Sequence, residues 1–139
     1  MMIRAYRSAD ETAVVKLWQQ CGLIQPQDNP LQDIARKLSV QPELFLVGYE
    51  TELLVATVMA GYEGHRGWLN YLAVKPGYRN TGAGKKIISE AEKKLHRLGC
   101  PKINVQVRLS NSGIVKFYRK IGFHQDQVIS MGKHLVQDE

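Results

Sequence analysis

The chain has 139 residues, of which 44% are hydrophobic and 23% are charged, a composition typical of one folded domain with an apolar core. Its apolar runs are far shorter than the roughly 20 residues of a membrane span, and its N-terminus shows no apolar signal region. We therefore expect a cytoplasmic protein with no membrane partner. Cys21 and Cys100 form no C-x-x-C pair, which argues against a disulfide framework or a cysteine-rich zinc site.

The chain carries 19 basic and 13 acidic residues, for a net charge of +6. This charge suits either a polyanion such as nucleic acid or a small phosphorylated ligand. The distribution favours the small ligand, because most basic residues alternate with acidic ones as on a solvated surface. One basic cluster stands apart, formed by Lys75, Arg79, Lys85 and Lys86. We therefore expect no nucleic-acid partner.

The first third of the chain predicts one strand and two helices. The segment MIRAYR is typical of a strand, and SADETAVVKLWQQCG has an apolar face with helical spacing. NPLQDIARKL predicts a second helix, with Asn29 as its N-cap and Pro30 at its first position. The inward side of this helix should carry Leu31, Ile34 and Leu38.

The remainder of the chain predicts at least five further strands and two helices. In chain order the segments are two strands joined by a short hairpin, a strand, a helix, a strand, a helix and at least one more strand: ELFLVGYE, LLVATVMAGYE, WLNYLAV, IISEAEKKLHRLG, INVQVR, NSGIVKFYRKIG and QVISMGKHLV. The order β-α-α-β-β-β-α-β-α-β predicts a mixed α/β protein, with a single domain over residues 1–139.

The segment RNTGAGKK, residues 79–86, lies between a predicted strand and a predicted helix. A glycine-rich turn into a helix exposes backbone N–H groups at the positive end of the helix dipole, which is an anion site. An ordinary P-loop is ruled out, because Lys86 stands where serine or threonine must bind magnesium. A dinucleotide fingerprint is also disfavoured, because Ile87 replaces its third glycine.

A wider pattern around this turn resembles a known family. LAVKPGYRNTGAG combines a strand end, V-x-P and R-x-x-G-x-G, and it resembles the acetyl-CoA-binding signature of the GNAT family of N-acetyltransferases. NSGIVKFYRKIGF resembles the second signature segment of that family, from an asparagine through a tyrosine to a closing G-F. LFLVGYE, MAGYEGHRG and LGCPKINVQV are most similar to small bacterial YpeA-type members.

The resemblance extends over most of the chain and implies a fold and a co-substrate. The implied fold is a mixed, mostly antiparallel sheet of six to seven strands flanked by four helices, in which the fourth and fifth strands splay apart. The implied co-substrate is acetyl-CoA, with its pantetheine arm along Leu72, Ala73 and Val74. Its pyrophosphate would lie on the turn formed by Arg79, Asn80, Thr81, Gly82, Ala83, Gly84 and Lys85.

The resemblance also implies roles in catalysis. Tyr118 matches the tyrosine that contacts the cofactor and acts as general acid, and a tyrosine of ordinary pKa, ~10, is protonated at neutral pH. Asn111 matches a residue that contacts pantetheine, although its position equally predicts a helix cap. Glu63 and His65 are candidates for the general base, near the expected acceptor mouth. This chemistry needs no metal, and no histidine has metal-ligand spacing.

The expected function is therefore transfer of an acetyl group from acetyl-CoA to an amine of a small molecule or protein, by a monomer or homodimer. The alternative is a non-catalytic acyl-CoA-binding regulatory module, which would keep the glycine turn without needing Tyr118.

Overall fold

A computed structural model describes residues 1–136, and residues 137–139 of the predicted domain lie outside this range. The described chain forms four α-helices: α1 Glu11–Gln20, α2 Pro30–Leu38, α3 Ala83–Arg97 and α4 Ser112–Lys120. It also forms five strands: β1 Met2–Ala5, β2 Phe45–Glu50, β3 Leu53–Tyr62, β4 Gly67–Val74 and β5 Ile103–Val105. Short 3-10 turns cover Ser8–Asp10 and Pro42–Leu44.

The strands form one sheet in the order β1-β2-β3-β4-β5. The pairs β1–β2, β2–β3 and β3–β4 are antiparallel, whereas β5 runs parallel to β4. The parallel pairing joins 67–69 to 103–105 and stops at Leu69, although β4 continues to Val74. The predicted mixed α/β fold with splayed fourth and fifth strands is therefore confirmed.

The predicted number of six to seven strands is wrong, because residues 127–136 form no strand. A strand is defined by backbone hydrogen bonds to a neighbour. Instead, side chains hold the residue just before this segment next to β5: Asp126 accepts from Nζ of Lys102, which precedes β5, at 3.0 Å and from Nδ2 of Asn104 in β5 at 2.9 Å. The apolar residues that suggested a strand point into solvent, and Met131 is 90% exposed.

The sheet has apolar residues on both faces, because successive side chains along a strand point to opposite sides. On one face, strand residues such as Leu46 and Val58 pack against Ile87 and Leu95 of α3. On the other face, Phe45, Val47 and Met59 pack against α1 and α2, with Trp18 fully buried among them. The sheet is therefore the central layer.

Helix α2 buries fewer apolar side chains than its sequence predicts. Asn29 caps it as predicted, accepting from the N–H of Gln32. Ile34 is buried, but Leu31 and Leu38 are 52% and 42% exposed, so their predicted inward orientation is wrong. On the turn after Ile34, Lys37 Nζ donates to the carbonyl of Ala60. A polar anchor therefore replaces part of the expected apolar stripe.

Asp10 joins β1, β2 and the start of α1, and it is only 3% exposed. Its carboxylate accepts two hydrogen bonds from the Arg4 guanidinium, at 2.8 and 2.9 Å, and one from the Tyr49 hydroxyl at 2.7 Å. The N–H of Arg7 adds a fourth at 2.8 Å. Burial by itself would raise the pKa of Asp10, but these hydrogen bonds outweigh it and lower the pKa to about 2.

We expect Asp10→Asn to lower the free energy of unfolding by about 3 kcal/mol, because it leaves a half-buried guanidinium without its counter-charge. In the parent, the stabilisation is present in full above the ordinary pKa of 3.8 and is lost as the pH falls toward about 2. Urea unfolding between pH 2 and 7 measures both effects. Glu90→Gln is the control, because Glu90 meets Lys93 at an exposed 3.5 Å contact. Equal stability of Asp10→Asn and Glu90→Gln at pH 7 would contradict this account.

Candidate active site

The start of α3 is a helix N-terminus without a capping side chain. Its N-cap is Gly82, with φ 88, and its first turn contains no acidic residue. The first helical hydrogen bond runs from the N–H of Lys86 to the carbonyl of Gly82 at 2.9 Å. The preceding N–H groups lack partners within the helix, and the helix dipole adds positive potential at the same point. This arrangement suits an anion.

The two glycines of the turn have different roles. Gly82 faces open space, with no heavy atom within 4 Å of the point that a Cβ would occupy, and its φ of +88 favours glycine. At Gly84, a Cβ would lie 3.1 Å from Cζ of Phe117 and 3.4 Å from Cγ2 of Val74. Gly84 therefore allows α3 to approach α4 closely, whereas Gly82 leaves the helix start uncovered. The sequence by itself assigned both glycines to the ligand.

The turn before α3 is held by hydrogen bonds from two of its side chains to backbone carbonyl groups. The side chain of Arg79 donates from Nε to the carbonyl of Val74 at 3.3 Å, and the hydroxyl of Thr81 donates to the carbonyl of Tyr78. Asn80 has a positive φ of 66. The exposed cationic side chains of Lys85 and Lys86 follow on the first turn of α3, so two of the four residues of the predicted basic cluster lie at the uncapped N-terminus.

An opening separates the end of β4 from β5. Leu72 and Val74 are half-buried and Ala73 is buried. Ala73 and Val74 pair with β3, but no described residue of β5 pairs with 70–74. The β5-facing edge of β4 is therefore open over the segment for which the sequence predicts pantetheine contacts.

Tyr118 lies on α4 and is 8% exposed, in the same apolar cluster as Leu69. Phe117 and Phe123 meet its ring edge-on, at centroid distances of 5.4 and 5.1 Å. Burial raises the pKa of Tyr118 to about 12, so the hydroxyl is protonated throughout the neutral range. Within residues 1–136 this hydroxyl makes no hydrogen bond, and no fully buried side-chain oxygen lacks one. The hydroxyl therefore reaches accessible surface and is available to a ligand.

Asn111 is the N-cap of α4. Its Oδ1 accepts from the N–H of Ile114 at 3.3 Å, which confirms the predicted helix cap. The residue is exposed, and its predicted contact with pantetheine stays a prediction.

Glu63 and His65 lie in the exposed turn between β3 and β4. Glu63 Oε1 accepts from the N–H groups of Arg66 and His65, the latter at 2.7 Å, and these hydrogen bonds lower the pKa of Glu63. The turn precedes Gly67, the first residue of β4, and about 23 Å of strand separates Gly67 from Val74. The structure thus brings α3, α4 and the end of β4 together, with these two residues at the other end of β4.

The sequence gives no sign of a bulge in β4 at Tyr71. Asn70 pairs with Met59 and Ala73 pairs with Thr57, so two residues of β4 face one residue of β3. Tyr71 has φ 52, in a region where glycine or asparagine would be the expected signal. Since tyrosine gives no such signal, only the tertiary structure reveals the bulge.

Neither a metal centre nor a membrane-spanning helix occurs in the part of the chain that the structure covers. Among residues 1–136, no group of three or more histidine, cysteine, aspartate or glutamate side chains could hold a metal ion. In the same range, no helix is both long enough and apolar enough to cross a membrane.

The fold described above, in which the sheet opens between two parallel strands beside an uncapped helix N-terminus, matches that of known acetyltransferases. The model of the acetyltransferase (GNAT) family matches residues 5–123. The acetyltransferase SG1711 of Sodalis glossinidius is 44% identical over 100% of this chain and 99% of its own length. The chain therefore belongs to the GNAT family, and it is an N-acetyltransferase.

Solved structures share the fold at low identity. AAC(6')-Iy, in complex with a bisubstrate analogue, superimposes with a TM-score of 0.78 at 19% identity, covering 96% of this chain and 97% of that one. The ribosomal-protein-S18-alanine N-acetyltransferase from Escherichia coli gives a TM-score of 0.75 at 19% identity, covering 91% of this chain and 79% of that one.

If the start of α3 is the anion site, Gly82→Ala should weaken CoA binding at least about tenfold, or ~1.4 kcal/mol. The methyl group disfavours φ +88 and projects into the open space above the helix start. Gly64→Ala is a matched control, because Gly64 also has a positive φ, +103, and open surroundings, but lies in the turn before β4. Calorimetry measures both affinities. Equal CoA affinities for the two variants would mean that this helix start is not part of the CoA-binding site.

Proposed function

We propose that this N-acetyltransferase moves the acetyl group of acetyl-CoA directly to a primary amine of a small molecule or protein, with Tyr118 as the general acid. The observation that carries the proposal is the uncapped start of α3 next to the opening between β4 and β5. We also retain the resemblance to YpeA-type members as a prediction about the subgroup.

The chain's own residues fit acetyl-CoA. The N–H groups at the start of α3 suit a pyrophosphate, which needs several donors and a positive potential. The open edge of β4 at Leu72–Val74 suits an extended arm that carries amide groups, because such an arm can pair like an added strand. The bisubstrate analogue in the AAC(6')-Iy complex contains CoA, and this supports the same use of the shared fold.

Acetyl-CoA, when bound, supplies the acetyl group as a thioester. The amine nitrogen bonds to the acetyl carbon, the carbon–sulfur bond breaks, and the sulfur needs a proton to leave as a thiol. Tyr118 holds that proton, because burial raises its pKa to about 12 and keeps the hydroxyl protonated. Its hydroxyl makes no hydrogen bond to another described residue, so the proton can be directed at the sulfur. The amine gives up its own proton to a base.

Glu63 and His65 stay our candidates for that base. The lowered pKa of Glu63 makes its carboxylate a weaker base than an ordinary one. A site without a strong base favours an amine that is easily deprotonated: at pH 7 this costs about 4.6 kcal/mol for a lysine side chain but about 1.4 kcal/mol for an α-amine. The names of two neighbours include an alanine substrate and an acetylneamine conjugate. We therefore place α-amines and aminoglycosides first among candidate acceptors.

The decisive experiment measures thiol release from acetyl-CoA over a panel of peptide α-amines, lysine side chains, aminoglycosides and polyamines. Direct acetyl-CoA binding is measured in parallel by calorimetry. Turnover with any amine supports the proposal. Tight binding without turnover across the panel would favour the alternative of an acyl-CoA-binding regulatory module.

We expect Tyr118→Phe to lower kcat by roughly 10²–10⁴-fold, the usual contribution of a general acid. The aromatic ring and its packing stay, so the Kd of acetyl-CoA should shift by less than about 1 kcal/mol, the net value of one neutral hydrogen bond. Single-turnover acetylation must be measured as well, because slow product release could mask the loss in steady state.

Tyr49→Phe is the control for this variant. The Tyr49 hydroxyl, on β2, donates to Asp10 Oδ1 at 2.7 Å. Its removal should leave kcat within twofold. A Tyr118→Phe protein with the parental single-turnover rate would mean that the tyrosine only packs.

The base is tested with Glu63→Gln and His65→Gln. Whichever residue accepts the amine proton should lose roughly 10²–10⁴-fold in kcat/KM on substitution. Glutamine at position 63 keeps an oxygen that can accept from the turn N–H groups but loses the negative charge, so thermal unfolding must confirm an intact fold. Full activity in both variants would leave a water chain or a backbone carbonyl as the base.

A further inference from the structure

The bulge at Tyr71 lies at the point where the sheet opens. Leu69 is the last residue of β4 that pairs with β5, and Leu72 is the first residue of the segment for which the sequence predicts pantetheine contacts. Tyr71 lies between them with φ 52. A left-handed conformation at a non-glycine residue is strained and persists only where the surroundings enforce it.

Three residues enforce this conformation, Trp18, Asp33 and Thr57, and together with Tyr71 we call them the Tyr71 clamp. The Tyr71 ring stacks on Trp18 with centroids 3.8 Å apart and planes inclined by 15°. The Tyr71 hydroxyl donates to Asp33 Oδ2 at 2.6 Å. Burial, together with this contact, raises the pKa of Tyr71, so the hydroxyl keeps its proton and stays a donor.

Hydrogen bonds hold the backbone of the bulge as well as its side chain. The carbonyl of Tyr71 accepts from Thr57 Oγ1 at 2.9 Å, and the same oxygen of Thr57 accepts from Trp18 Nε1 at 2.9 Å. Thr57 and Trp18 are both fully buried, so water does not compete for these bonds. The chain of contacts joins α1, β3 and β4.

The direction of this carbonyl fixes the direction of the next N–H group. In a trans peptide the C=O and N–H groups point to opposite sides, and no peptide bond in the described residues is cis. Because the carbonyl of Tyr71 points to Thr57, the N–H of Leu72 points away from Thr57. Leu72 begins the segment that our proposed function places along pantetheine, next to the reacting thioester.

We propose that Tyr71 is a positioning residue for acetyl transfer, which acts through the backbone of Leu72 and is held in its left-handed conformation by Trp18, Thr57 and Asp33. This inference rests on the proposed function. Asp33 belongs to the first turn of α2, so the direction of the Leu72 backbone depends on where α2 lies. Because the clamp acts through the direction of one backbone group, we expect it to affect the rate of acetyl transfer rather than the affinity for acetyl-CoA.

The test uses a double-mutant cycle on the bond between Tyr71 and Asp33. Tyr71→Phe keeps the stacked ring and removes the hydroxyl, whereas Asp33→Ala removes the acceptor. Each should lower kcat about tenfold, with the Kd of acetyl-CoA within twofold of the parent. The double variant should be no slower than either single variant, because one interaction is lost in all three. Asp33→Asn keeps an acceptor oxygen and should restore most of kcat.

Tyr49→Phe is the matched control, because Tyr49 also donates its hydroxyl to a carboxylate, that of Asp10, at 2.7 Å. It should lower the midpoint of thermal unfolding without changing kcat. If Tyr71→Phe behaves in the same way, with lower stability and parental kcat in single turnover, the clamp is only structural and the proposal is wrong.

A second readout does not require turnover. In the parent, CoA should shift the backbone amide resonances of Leu72–Val74, and in Tyr71→Phe these shifts should be altered at equal saturation. Parental shifts in the variant would overturn the positioning role. If the parent acetylates no amine, the proposed function fails by itself, and the amide shifts still decide whether the clamp orients Leu72.

Discussion

Parallel pairing between β4 and β5 lasts for only three residues, and the candidate site depends on where it stops. Where two parallel strands diverge, their backbone N–H and C=O groups lose their partners beside an apolar core. This is unfavourable unless other groups form hydrogen bonds with them. Here the divergence begins after Leu69, just before the bulge at Tyr71. The open edge of Leu72–Val74 then lies next to the start of α3, which packs against Phe117 of α4, and a ligand with its own amide groups can complete the pairing there.

Two backbone conformations of positive φ bound this opening, and they are supported in different ways. At Gly82 the absence of a side chain makes φ 88 inexpensive and leaves the helix start uncovered. At Tyr71 a large side chain adopts φ 52, and the cost is offset by aromatic stacking on Trp18 and by hydrogen bonds to Asp33 and Thr57. The first arrangement suits binding of an anion, and the second suits a fixed direction of nearby backbone groups.

The chemistry that the residues can perform is asymmetric. The proposed proton donor, Tyr118, keeps its proton because burial raises its pKa to about 12, and its hydroxyl has no hydrogen-bond partner among the described residues. A proton acceptor is less evident, because Glu63 is engaged by backbone N–H groups in the turn that precedes β4. On our proposal, this asymmetry favours amine substrates that lose a proton easily. Identifying the amine substrate would therefore also show how strong a base the site supplies.

The sequence by itself determined the features that local pattern controls. The helices follow from apolar spacing and caps such as Asn29 and Asn111, and the turn into α3 follows from its glycines. The family signatures predicted the splayed sheet, which is confirmed. The tertiary structure decided what depends on distant partners. Residues 127–136 form no strand because no backbone pairs with them. Gly84 packs against Phe117, and Tyr71 takes a left-handed conformation because α1, α2 and β3 converge on it, contacts that no local pattern encodes.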